Sequence, residues 1–146
     1  MRSLVLTLCC AAVTAGLAGC NLLTTDAASG VSPALLVAGL DTAVITAPDT
    51  VDHGVNFTVT VSTLGGGCTR ESARTESASD SQSLQIFPYD RWSAESCPND
   101  AILIPHTITV KIDAAGERTL TVVGREQIPG TNSTQYVQLD QPLYVR

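Results

Sequence analysis

Apolar and polar residues alternate without interruption through Val55-Asn56-Phe57-Thr58-Val59-Thr60-Val61-Ser62, which predicts a strand with one buried face. Thr107-Ile108-Thr109-Val110-Lys111-Ile112 repeats the pattern. Arg118 to Val123 (RTLTVV) follows it after Asp113-Ala114-Ala115-Gly116-Glu117, so these two runs predict a hairpin. Val44 to Ala47, Leu84 to Tyr89, Gln135 to Leu139 and Leu143 to Val145 add shorter strands, with Pro88 marking an edge strand or a strand end. Turn residues separate them at Asp49–Gly54, Gly65–Gly67, Ser96–Asp100 and Pro129–Asn132. Thr69 to Ser83 has almost nothing to bury and reads as a solvated loop or a polar edge strand. No helix-length window shows a 3.6-residue period. About seven short strands in about 100 residues predict an all-β, antiparallel β-sandwich.

The 146 residues suffice for one such domain and a tether, but not for two domains. Hydrophobic residues make up 44% of the chain, which disfavours wholesale disorder. The net charge of −6 repels phosphate backbones, so no nucleic-acid partner is expected.

The amino-terminal residues carry a different signal. Arg2 precedes the uncharged apolar run Leu4 to Ala18, which is too short to span a bilayer and suits a secretory leader. Leu17-Ala18-Gly19-Cys20 closes it and resembles the lipobox of bacterial lipoproteins. The resemblance implies cleavage before Cys20, lipid on its thiol and a palmitate-type acyl group on the new amino terminus. Two or three chains would hold the protein stably on a membrane that nothing in it spans. The expected organisation is a signal peptide over 1–19, a lipidated amino terminus and tether over 20–42, with Leu35 to Leu40 joining the domain's edge, and a β-domain over 43–146. Asn21 after the lipidated cysteine implies the outer membrane in an organism with two membranes.

Thr46 to Ser62 and Ala115 to Arg125 resemble the second-strand and sixth-strand regions of bacterial immunoglobulin-like domains, which makes an immunoglobulin-like sandwich the expected fold. Cys9 and Cys10 leave with the leader and Cys20 takes lipid, so Cys68 and Cys97 remain. In an oxidising exported compartment such a pair is expected to form one structural disulfide. Redox Cys-x-x-Cys spacing and further zinc ligands are both lacking.

Candidate chemistry is sparse. His53 and His106 stand at strand starts without metal-ligand spacing and read as surface turn histidines. A small envelope hydrolase would need one of them to meet an Asp in a concave pocket. Gly-x-Ser-x-Gly and Ser-x-x-Lys do not occur. No metal or other cofactor is expected. Phe87, Tyr89, Arg91 and Trp92 fall within six residues, and aromatic residues with Arg dominate binding hot spots. Tyr89, Arg91 and Trp92 are therefore the candidate contacts for a protein or glycan, weighed against Phe87 and Trp92 filling the core beside the disulfide. The resulting expectation is a lipid-anchored cell-envelope protein with a non-catalytic structural or binding domain.

Overall fold

The computed structural model describes residues 28–95 and 97–146. The signal peptide over 1–19, Cys20 and the first part of the tether lie outside the described residues. Strands cover 71% of what is described, without a helix among those residues. In chain order they are β1 (Ser29–Pro33), β2 (Leu35–Ala38), β3 (Asp41–Thr42), β4 (Val44–Thr46), β5 (Thr50–Val51), β6 (Asn56–Gly66), β7 (Thr69–Ser79), β8 (Ser83–Ser93), β9 (Ala101–Lys111), β10 (Gly116–Gln127) and β11 (Thr134–Val145).

The expected all-β architecture is therefore present, in eleven strands, of which five are very short. Long strands arise where alternation persists. In β6, Val59, Val61 and Thr63 point inward and are buried, while the residues between them face out. Val59 and Val61 meet Leu84 and Ile86 of β8, Leu120 and Val122 of β10, and Leu143 and Val145 of β11 in one core. The strands β6, β7, β8, β10 and β2 close into a five-membered ring. Two of its seams are single residue pairs, Gly66 with Thr69 and Leu35 with Leu64.

Two expectations about pairing are corrected. The runs 107–112 and 118–123 form no hairpin: β9 pairs with β6 along its whole length, and β10 pairs with β11, β8 and β2. The chain leaves β8, crosses the core to β9 and returns to β10. A crossover of this kind makes β8 and β10 parallel neighbours, so the sheet is not wholly antiparallel. Within the segment 20–42, Ser29–Pro33 pairs with β8 and Leu35–Ala38 with β10.

Those early strands fill a fork. β8 and β10 run side by side as far as Ile86 and Val122, then part. Ala34 sits in the crotch, donating its N–H to Pro88 O (2.9 Å) and accepting from Arg125 N–H (2.8 Å). Pro88 has no donor of its own, and it stands where β8 passes from partner β10 to partner β1. Gly124 lines the same crotch, where a Cβ would lie 2.6 Å from both Ala34 O and Leu36 Cγ. Arg125 adds bonds to Pro33 O (2.5 Å) and Ser32 Oγ (3.1 Å).

The polar stretch after Cys68 forms β7, an eleven-residue strand on β8, which is the polar edge strand among the two expected forms. Its turn into β8 is held by Asp80, whose Oδ1 accepts the N–H groups of Gln82 and Ser83, both at 2.7 Å. These bonds, that to Gln82 first, keep the Asp80 carboxyl below its ordinary pKa. A depressed folded value means that the stabilisation is complete above the unfolded pKa of about 3.9, and is lost as pH falls through the folded one. Asp80→Ala should remove this part of the acid response and speed amide exchange at Gln82 and Ser83 near neutral pH, as followed by NMR.

The disulfide joins Cys68, in the β6–β7 turn, to Cys97, in the β8–β9 loop. Arg70 grips Asp100 beside it through both guanidinium nitrogens. Closing this loop should stabilise the fold by roughly 3–4 kcal/mol on the chain-entropy model. Cys68→Ser with Cys97→Ser is expected to lower the urea midpoint accordingly, and an unchanged midpoint would show the bond to be dispensable.

Candidate binding face and buried polar network

The pleat divides the aromatic cluster of β8. Leu84, Ile86, Pro88 and Asp90 point inward and are buried, and Trp92 continues their face. The Trp92 indole packs on Gly30 of β1, where a Cβ would come within 2.8 Å of Nε1. Phe87, Tyr89 and Arg91 point the other way, and Arg91 is exposed. Trp92 therefore does not share a platform with Tyr89 and Arg91. One face of the Tyr89 ring is taken as well, because the Arg74 guanidinium lies 4.1 Å from its centroid. Arg74 is in turn bonded to Glu76 Oε1 at 2.7 Å.

A different surface is bare. On the outer sides of β4, β6 and β9, the paired rows read Leu35–Leu64–Leu103, Val44–Ser62–Pro105, Thr46–Thr60–Thr107 and Thr58–Thr109. None of these eleven residues is charged. Val44 is 54% exposed and Leu103 is 58% exposed. Thr60 Oγ1 and Thr107 Oγ1 lie 3.2 Å apart, so these hydroxyls satisfy one another across the ladder. At the leucine end the face opens into a cleft of about 1110 Å³, which also borders Gly65 to Gly67, Ile102 and Arg125. Two-residue alternation produces this face too. Its outward positions carry no distinguishing signal in the chain, because threonine and proline between apolar residues read simply as the solvent side of a strand.

Inside the domain lies a polar network. His106 is 1% exposed and Asp90 is fully buried, so the expected surface position of His106 is corrected. His106 Nε2 is 2.8 Å from Asp90 Oδ1. Its Nδ1 is 3.0 Å from Ser72 Oγ and 3.3 Å from Thr75 Oγ1. With Nε2–H donating to the carboxylate, Nδ1 accepts from the two hydroxyls. Thr63 Oγ1 donates towards Asp90 Oδ1 (3.5 Å) and Ile104 O (3.3 Å). Among the described residues Asp90 Oδ2 has no partner.

The backbone explains the meeting. Ser72 and Thr75 would point to opposite faces of a regular strand, but the register of β7 on β8 shifts between Ser72 and Arg74. That bulge turns both hydroxyls inward. His106 reaches them from β9, which lies opposite β7 without sharing a ladder with it. The signal for two members was legible: the inward-facing series Ile104, His106, Ile108, Val110, Ile112 runs straight through the histidine, and Leu84, Ile86, Pro88, Asp90 through the acid. Nothing local marks the bulge.

His53 belongs elsewhere. It is exposed in the β5–β6 turn, with Nδ1 3.0 Å from Arg146 O, and Arg146 pairs with Asp52 at 2.8 Å. These contacts fasten the carboxyl-terminal residue and involve none of the network. Neither the cleft on the bare face nor a second cleft of about 830 Å³ beside Arg118 and Tyr144 is lined by Ser72, Asp90 or His106.

Comparison of the chain with protein-family models, curated proteins and solved structures finds no match.

Proposed function

We propose that this is a lipid-anchored cell-envelope protein whose β-domain is a non-catalytic binding module, docking a protein partner on the outer face of β4, β6 and β9. The observation that carries this reading is the uncharged strip with Val44 and Leu103 more than half exposed. Interface centres are depleted in charge, and contiguous exposed apolar residues mark interaction sites. A protein partner is favoured over a glycan because Trp92 packs inward and Arg74 covers Tyr89. The anchor rests on the lipobox at Leu17–Cys20, and it places the domain at a membrane surface, in the outer membrane where there are two.

We further infer an immunoglobulin-like arrangement from the two resembling segments. They supply β6 and β10, whose Val59, Val61, Leu120 and Val122 share the core. The parallel β8–β10 pair departs from that family's pattern.

The test is photocrosslinking in intact cells from position 103, with position 113 in the β9–β10 connection as the control. A discrete adduct from position 103 alone is expected, and Val44→Asp should abolish it. Equal adducts from both positions, or none, would overturn the reading. For the anchor, labelled palmitate should enter the chain only while Cys20 is intact.

A second reading rests on the order Ser72–His106–Asp90, in which the hydroxyl of a residue at the domain surface meets a buried imidazole held by a carboxylate. That order favours acyl transfer with Ser72 as nucleophile and His106 as its base. A fluorophosphonate probe should then label Ser72, and no label should enter Ser72→Ala. An unlabelled parent chain leaves the network a purely structural role.

A further inference from the structure

Strand β11 has one covered edge and one bare edge. Along Thr134–Val145 it pairs with β10 in unbroken register. On its other side, among the described residues, only Tyr144 and Val145 find a partner, the short β5. The Tyr144 N–H donates to Asp49 O across that side at 2.9 Å. In a regular strand every second residue turns its backbone the same way, so the N–H and C=O groups of Tyr136, Gln138 and Asp140 also face the bare edge. Pro142 occupies the next such position. It has no N–H to offer there, which is why the strand runs through it intact and why a new ladder would stop at it.

Between Pro142 and Thr134 the edge lacks the usual protection. It carries no lysine, no bulge and a single charge, Asp140. Even that carboxylate is engaged by Thr121 Oγ1 at 2.7 Å. Tyr136 is 75% exposed, and Val137 and Leu139 are only partly covered at the margin of the core.

We infer that this edge pairs with the same edge of a second copy of the chain, antiparallel, with Gln138 opposite Gln138. This register brings Tyr136 of each copy opposite Asp140 of the other, hydroxyl against carboxylate, and Val137 opposite Leu139 on the core side. The facing residues are those whose backbone groups point outward, as a ladder requires. The alternative centred on Asp140 would set two carboxylates against each other, which disfavours it. Self-complementarity of side chains and charge singles out a second copy over a foreign strand. Seven residues of ladder bury less than a standard interface, so the dimer is weak and concentration-dependent.

The test uses the full chain in detergent with Gln138→Cys, under mild oxidation and non-reducing electrophoresis. Facing residues of such a ladder lie within disulfide reach. The covalent dimer is expected to form about tenfold faster than with Asp113→Cys or with the parent chain, the gain of a preassembled pair over random encounter. Adding Tyr136→Pro should remove that advantage while leaving the β10 ladder intact, since the lost N–H faces the bare edge. Equal rates for Gln138→Cys and Asp113→Cys, or an advantage that survives Tyr136→Pro, would overturn the inference. In cells, Gln138→Cys joined to another protein without a homodimer would overturn it in favour of a foreign strand.

Discussion

Gly66→Ala is expected to destabilise the domain by more than about 3 kcal/mol, because it combines a disallowed backbone with a clash that no rotamer relieves. Gly66 has φ of 141° and pairs with Ala101 at the closed end of the β6–β7 turn. A Cβ there would lie 2.1 Å from the Asp100 carbonyl oxygen, which belongs to the backbone that the Cys68–Cys97 bond draws in. Thermal unfolding should show a Tm lower by about 10 °C or more. Gly39→Ala is the control. That glycine also has positive φ, 63°, but nothing lies within 4 Å of its missing Cβ. Its substitution should cost only the left-handed penalty of about 1–2 kcal/mol. Equal losses for both variants would show that backbone conformation, not the close approach of Asp100, governs Gly66.

His106→Ala is the second large effect. It strips Asp90 Oδ1 of its closest partner while Oδ2 already has none, leaving a carboxyl group stranded in the core. Removing one member of a buried pair costs about 3–5 kcal/mol, much of the margin by which a domain of this size is folded. Replacing both members, Asp90→Leu with His106→Leu, should recover most of that loss, since the core around them is aliphatic and Ser72 can turn to solvent. Urea unfolding of the parent, single and double variants distinguishes the cases. A double variant as unstable as His106→Ala would mean that the pair contributes favourably in its own right and that apolar packing cannot replace it.

The consequences of strand pairing were not readable from the chain. The hairpin expected between 107–112 and 118–123 fails although both strands exist. A five-residue connection can turn back beside its own strand or arch to the opposite layer, and the local residues do not distinguish the two. Gln135–Leu139 and Leu143–Val145 read as two short strands, yet they form the single strand β11, which runs through Pro142. In the structure it is harmless, because its missing donor falls on the unpaired side of β11. The aromatic cluster reads as one surface by proximity in sequence, yet the pleat puts Trp92 on the core face and Tyr89 and Arg91 outside.

Amino-acid order alone determined that the domain is built of strands, which side of β6 and of the 107–112 run turns inward, and that Cys68 and Cys97 are the pair available for a disulfide. Each follows from a two-residue period or from a simple inventory of residues. Tertiary structure alone decided which strands lie side by side, that His106 meets Asp90 across the core with Ser72 turned in by a bulge, and that β11 keeps an open edge. Those outcomes depend on contacts between residues far apart in the chain, where burial summed over the whole core outweighs the preference of any one segment.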